Sequence, residues 1–223
     1  MFTRLSVAFA VVLTATSPAM AGTISFTFDN LSSSGIVDSY FGVGANDTAT
    51  VTFDYDDTPA YESSYSYSTA YSYDYAYFDL SQVTLTINDT SISIDPQYYG
   101  LYTYDYTSGS SGYSDTIYFY DYYSSTGWSN GWSGSYKYAY VSGPFETFLD
   151  GTNPADADPA QATSGYLSFS FYDNSNGYAY GSLYSSSLVG VNVAGLAPVP
   201  LPAGLPMLLA GLGGFAWVRR RRG

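Results

Sequence analysis

From Tyr65 to Tyr77 the odd positions read Tyr65, Tyr67, Thr69, Tyr71, Tyr73, Tyr75 and Tyr77, and the even positions carry Ser, Ala or Asp. Side chains on a strand point alternately to opposite faces, so this run has one aromatic face and one small or polar face. A helix would scatter the same rings around its circumference. The run therefore predicts a β-strand.

The same period recurs along the chain. Ile24, Phe26 and Phe28 mark one strand, and Val51, Phe53 and Tyr55 mark a second that ends at Asp56, Asp57, Thr58 and Pro59. Val83, Leu85 and Ile87 lead through Asn88-Asp89 to Ile92 and Ile94, which reads as a hairpin. Further strands are expected at Tyr102–Tyr106, around Ile117 and Phe119, at Tyr136–Tyr140, at Leu167–Phe171, at Tyr178–Tyr184 and at Leu188–Val193. Turn-rich segments such as Ser108–Gly112 and Asp150–Pro154 separate them. About ten short strands without an amphipathic helix predict an all-β domain, an antiparallel β-sandwich of jelly-roll-like type. Disordered segments are usually poor in aromatics, and this chain holds 27 tyrosines.

The two ends read differently from the middle. Arg4 precedes the apolar run Leu5–Leu13, and Ala19-Met20-Ala21 forms a small-residue cleavage site. Residues 1–21 are thus predicted to be a Sec-type signal peptide, with the mature chain starting at Gly22. At the other end Val199 to Val218 is an uncharged stretch of 20 residues. At about 1.5 Å per residue in a helix it would just cross a membrane core. Pro200 and Pro202 confine a helix to the part from about Pro206 to Val218, a short C-terminal hydrophobic helix. Trp217 stands where an interfacial aromatic belongs, and Arg219, Arg220, Arg221 and Arg222 follow the positive-inside rule. Three parts follow: signal peptide 1–21, an acidic Tyr-rich domain 22–197 and a sorting tail 198–223.

Within 22–197 lie all 19 acidic residues and one base, Lys137, a formal charge of −18 against −13 for the whole chain. Such a domain repels nucleic acid, which needs clustered Lys and Arg. The chain has no Cys and no His, so an exported domain must be held by its own core and not by disulfides. Zinc sites and most nucleophile–base pairs lose their usual ligands and bases with those two residue types.

Gly127, Trp128, Ser129, Asn130 and Gly131 match the G-x-S-x-G pattern, but a nucleophile elbow needs a histidine base and a strand-to-helix turn. A Ser-x-x-Lys arrangement fails because Gly134 stands three before Lys137. Asp54, Asp56 and Asp57 are candidate calcium ligands, and Asp150, Asp156 and Asp158 are similar; the EF-hand spacing is absent, and a solvated acidic turn is the favoured reading. No cofactor is otherwise expected. Glu62 and Glu146 are the only glutamates, and no spacing pairs them for glycoside hydrolysis. Trp128 and Trp132, four apart in a Gly/Ser loop, form a candidate glycan-stacking platform. The tyrosines outnumber what one core can hold, which leaves some for a stacking or adhesive surface.

Val199, Pro200, Leu201, Pro202 and Ala203, followed by the apolar helix and the arginines, closely resemble the VPLPA-type C-terminal sorting signals of the PEP-CTERM class. The segment from Phe41 to Pro59 and the strand Ser114–Asp121 are also similar to strands of many ectodomains of that class. The resemblance implies export from a Gram-negative bacterium through the Sec translocon and signal peptidase. It also implies transient anchoring in the inner membrane, recognition by an exosortase-like transpeptidase and final placement at the cell surface or outside. The expected role is a non-enzymatic surface or extracellular-matrix protein that associates with exopolysaccharide or the envelope. Its alternative is a carbohydrate-binding module for one defined glycan.

Overall fold

A computed structural model describes residues 20–68, 71–94, 100–108, 113–121, 129–173 and 179–198. Residues 1–19 of the expected signal peptide 1–21, and the tail from Val199 onward with the expected sorting motif, Trp217 and the arginines, lie outside the described residues. No described helix is long and apolar enough to cross a membrane.

Twelve strands form a single antiparallel sheet. They are β1 (Met20–Asp29), β2 (Ser32–Gly35), β3 (Ala49–Asp56), β4 (Tyr61–Ser68), β5 (Tyr71–Ile87), β6 (Thr90–Ile94), β7 (Gly100–Ser108), β8 (Ser114–Asp121), β9 (Ser133–Pro144), β10 (Ser164–Asp173), β11 (Ala179–Ser185) and β12 (Ser187–Pro198). The strand order is β12-β1-β3-β5-β7-β8-β9-β10-β11-β2, with β4 and β6 also paired to β5. β1 begins at Met20, two residues ahead of Gly22. The all-β expectation holds, and the sheet is antiparallel and curled.

The curl originates in β5. Its first half pairs with β4 and β7, and its second half with β3 and β6. The register slips between Asp54 and Tyr55, whose partners are Gln82 and Leu80, so that Ser81 is left as a bulge. An extra residue on one strand bends it and raises the local twist. The two arms that β5 joins then meet through their inner faces. Phe53 on β3 lies 5.3 Å from Phe119 on β8 between ring centroids, and Phe119 lies 6.4 Å from Phe169 on β10. At Gly165 on β10 an added Cβ would come 3.1 Å from Phe28 Cε1 and 3.2 Å from Leu188 Cδ1. The missing side chain lets β10 come close to β1 and β12.

Period two determines what the arms bury. Ile24, Phe26, Phe28, Val51, Phe53, Tyr55, Val83, Leu85 and Ile87 face inward from one arm, and Phe78, Leu101, Ile117, Phe119, Val141, Leu167, Phe169 and Phe171 from the other. Each fully buried ring contributes about 2 kcal/mol of transfer free energy. The segment from Phe148 to Ala157 closes one end, with Phe148, Leu149, Pro154 and Ala157 buried. Asn153 fixes that segment: its Oδ1 accepts from Ala155 N at 2.9 Å and its Nδ2 donates to the Asp57 carbonyl at 3.1 Å.

Three sequence expectations are corrected. The run from Tyr65 is not one strand but a hairpin, β4 into β5; with no Gly, Pro, Asn or Asp around Thr69-Ala70, nothing in the sequence interrupts the two-residue period to announce it. The strand expected at Val83–Ile87 is the second half of β5. A six-residue helix, α1 (Ile36–Phe41), lies where none was expected. One and a half turns are too short to show a 3.6-residue period. α1 is bounded by Gly35 at φ +62° and Gly42 at φ +63°, and it buries Val37 and Phe41.

Candidate functional site: a tyrosine row across the outer sheet face

The residues that alternate away from the core on β4, the first half of β5 and β7 to β11 are almost all tyrosine, serine or threonine. Strand register aligns six of the tyrosines. Tyr61 pairs with Tyr77, Tyr77 with Tyr102, Tyr102 with Tyr118, Tyr118 with Tyr140, and Tyr140 with Tyr166. The row runs perpendicular to the strands over β4, β5, β7, β8, β9 and β10. At about 4.8 Å per strand it is about 24 Å long. Tyr65, Tyr73 and Tyr106 form a parallel row on one side, and Tyr120, Tyr138 and Tyr184 widen the face on the other.

Ring geometry shows how the rings stand. Tyr102 and Tyr118 have centroids 4.9 Å apart and planes 10° from parallel. Tyr104 and Tyr118 lie at 5.7 Å and 14°, and Tyr140 and Tyr166 at 6.0 Å and 15°. Two rings lying flat beside each other on a sheet would need a wider spacing to clear their edge hydrogens. These rings therefore stand up from the sheet in offset stacks. The tilted contacts Tyr75–Tyr104 at 4.9 Å and Tyr77–Tyr102 at 5.0 Å continue the same packing. Side chains on a strand stand roughly perpendicular to the sheet, so edges and hydroxyls form the outer rim. At the margins Tyr61, Tyr65, Tyr120, Tyr180 and Tyr184 are exposed.

Burial among their neighbours favours the neutral form of four of these phenols. Burial, followed by the neighbouring tyrosines, pushes Tyr75 and Tyr138 up to about 12. For Tyr77, also at about 12, burial is followed by Asp79. Tyr118 is pushed up by burial and by its hydrogen bond with Tyr104. Asp79, at the rim, is the one carboxylate whose position on these strands alternates to this face. Asp105, Asp115 and Asp121 point inward, as does Lys137. The charge of the domain is thus segregated from its aromatic face. The outer face of the other arm is different again, a mesh of small hydroxyls: Ser25 with Thr52 at 3.0 Å, Thr27 with Thr50 at 3.1 Å, and Thr86 with Ser91 at 2.8 Å.

A cleft of about 190 Å³ is lined by Asp105, Tyr106, Glu146, Leu149 and Asp150. Burial, then the Asp115 carboxylate, raises Asp105 to about 6. Both inward carboxylates are tied to backbone. Asp105 accepts from Gly151 N at 3.1 Å, and Asp115 accepts from Tyr106 N at 2.9 Å and Leu149 N at 3.2 Å. They clamp the 146–151 loop onto β7 and β8.

The candidates from sequence are distributed as follows. Trp132 is a correction: it is buried and packs on Tyr40 at 4.9 Å, Phe171 at 5.4 Å and Phe41 at 6.2 Å. Gly131, at φ +87°, turns the chain just before it, and its ring joins α1 to the core. It forms no exposed platform; Trp128 lies outside the described residues. Asp54 accepts from Thr23 Oγ1 at 2.7 Å and Asp56 from Thr58 N at 3.0 Å. Among the described residues no group of three or more carboxylates is gathered to hold a metal ion. Ser129 is exposed and ties its turn to β6, its Oγ accepting from Ser93 N at 3.0 Å. Glu62 accepts from Thr152 Oγ1 at 2.6 Å, and Glu146 lies in a turn at φ +60°. The tyrosines are evident in the sequence, but their row is not. The register that builds it comes from pairings between distant segments.

No protein-family model, no curated protein and no solved structure matches this chain.

Proposed function

We propose that this chain is an exported, non-enzymatic protein of the bacterial surface or extracellular matrix, which holds to exopolysaccharide through its tyrosine row. The observation that carries the reading is the alignment of Tyr61, Tyr77, Tyr102, Tyr118, Tyr140 and Tyr166 across six neighbouring strands. A row of this length suits an extended polymer better than a small molecule. The two facing arms are the sheets of a β-sandwich, supported by the Phe53–Phe119 contact. Passage through the Sec translocon with signal-peptidase cleavage, transient anchoring in the inner membrane and handling by an exosortase-like transpeptidase are supported by residues 1–21 and by the Val199–Ala203 motif with its arginines.

The test is co-sedimentation of the mature protein, purified from the bacterium that makes it, with that bacterium's exopolysaccharide. Wild-type protein is expected in the pellet, and a Tyr102→Ala/Tyr140→Ala variant in the supernatant. Wild-type protein that stays in the supernatant overturns the reading. Mass spectrometry of the same sample checks the sorting: an intact Arg219–Arg222 tail contradicts processing. A carbohydrate-binding module for one defined glycan is the second reading, favoured by the exposed rings of Tyr180 and Tyr184 at the margin. It predicts saturable binding of a short oligosaccharide.

A further inference from the structure

Resting on the polysaccharide reading above, we infer that the ligand of the tyrosine row is an uncharged, hydroxyl-rich polysaccharide. It is gripped by phenolic hydroxyls and ring edges, and not by sugars stacked on aromatic faces.

Three observations lead there. The first is ring orientation. Stacking a sugar needs an open aromatic face, and in Tyr102–Tyr118 and Tyr140–Tyr166 neighbouring rings stand nearly parallel and partly cover each other's faces. The rim that remains offers O–H groups, each able to donate and to accept. The second is charge. An anionic polymer needs cations, and the only base in residues 22–197, Lys137, is buried. The surrounding surface carries the carboxylates of a domain at −18 and repels uronates or sulfates. The third is protonation. A phenol is neutral at physiological pH, and burial pushes Tyr77 of the row and its neighbours Tyr75 and Tyr138 further up, to about 12. A neutral polyol meets no desolvated charge on this face.

The experiment uses the mature protein and a Tyr75→Phe/Tyr138→Phe/Tyr140→Phe/Tyr166→Phe variant, which keeps every ring and removes four hydroxyls. Binding is measured against neutral glucans, galactans and mannans, against polygalacturonate and a sulfated polymer, and against the producer's own exopolysaccharide. A neutral polymer is expected to bind with little dependence on salt. The Phe variant is expected to melt like wild type and to lose at least about tenfold in affinity, as for a few lost hydrogen bonds. Equal binding by the Phe variant, with loss only in the corresponding Ala variant, would show that ring faces do the work and overturn the inference while leaving the proposed function standing. Preference for polygalacturonate or the sulfated polymer also overturns it. Failure of every polymer, the producer's included, removes the proposed function itself. Self-association abolished by the Phe variant, seen by sedimentation velocity without polymer binding, assigns the face to a second copy and overturns both.

Discussion

Lys137 on β9 is paired with Asp121 on β8 inside the core, directly opposite it in register. Both side chains are buried, at 0% and 2% exposure. Gly134 helps make the space, since a Cβ there would lie 2.6 Å from Lys137 Cε. Removing one partner of such a pair leaves an uncompensated charge in a low dielectric. We expect Lys137→Met to lower stability by about 3–5 kcal/mol and Lys137→Met/Asp121→Leu to regain most of it. Urea unfolding of both variants decides the point. A single mutant as stable as wild type would show that the pair is not buried as described.

Stability should rise on mild acidification. Asp105 is raised to about 6 by burial and then Asp115, and Asp115 and Asp156 are also raised, each chiefly by burial. A carboxyl whose folded pKa exceeds its unfolded value near 3.9 binds more protons when folded. Its contribution is complete below about pH 4 and is lost as pH rises through about 6. We expect the domain to be more stable at pH 4.5 than at pH 7, with Asp105 accounting for about 2 kcal/mol of the full difference. Asp105→Asn should flatten the slope. Thermal melts of that variant showing the wild-type pH dependence would exclude Asp105 as the source.

Trp132 joins α1 to β10, and its loss should be felt as a core cavity. Trp132→Ala is expected to cost about 3–5 kcal/mol and to leave polysaccharide binding by the refolded protein unchanged. An exposed stacking residue would give the reverse pattern: near-normal melting and weakened binding.

Two glycines should separate cleanly. Gly35 has φ +62°, and a Cβ there would collide with the Tyr180 carbonyl; around Gly190 nothing lies within 4 Å. We expect Gly35→Ala to destabilise by about 2 kcal/mol or more and Gly190→Ala to stay within about 0.5 kcal/mol. Chemical denaturation of the pair, side by side, is the check.

Much of the fold was legible because burial follows the two-residue period so closely. Ile24, Phe26 and Phe28, or Leu167, Phe169 and Phe171, announce strand and inner face together. What escaped was decided by tertiary contacts. The hairpin within the Tyr65–Tyr77 run carries none of the usual turn residues, and the bulge at Ser81 has no local signature. Trp132 belongs to a Gly/Ser-rich loop by composition, yet Phe41 and Phe171 make a place for it inside. The sequence shows Lys137 only as the domain's one base, because nothing in its neighbourhood names Asp121 as its partner. Asp105 and Asp115 looked like any other acids; their inward alternation and backbone donors emerge only once β7 and β8 are paired.

β1 has two neighbours that arise at very different times in synthesis. β3 follows it by about twenty residues, while β12, which pairs with it from Met20↔Pro198 to Asp29↔Ser187, is the last of the described strands to be made. A chain emerging N-terminus first thus carries a half-open sheet edge until nearly the whole domain is available. Contacts of such long sequence separation are slow to form, and an unpaired edge invites association with other chains. Completion of this sheet is therefore a late event, and a chain interrupted before Ser187 would expose on β1 the backbone groups that β12 is built to cover.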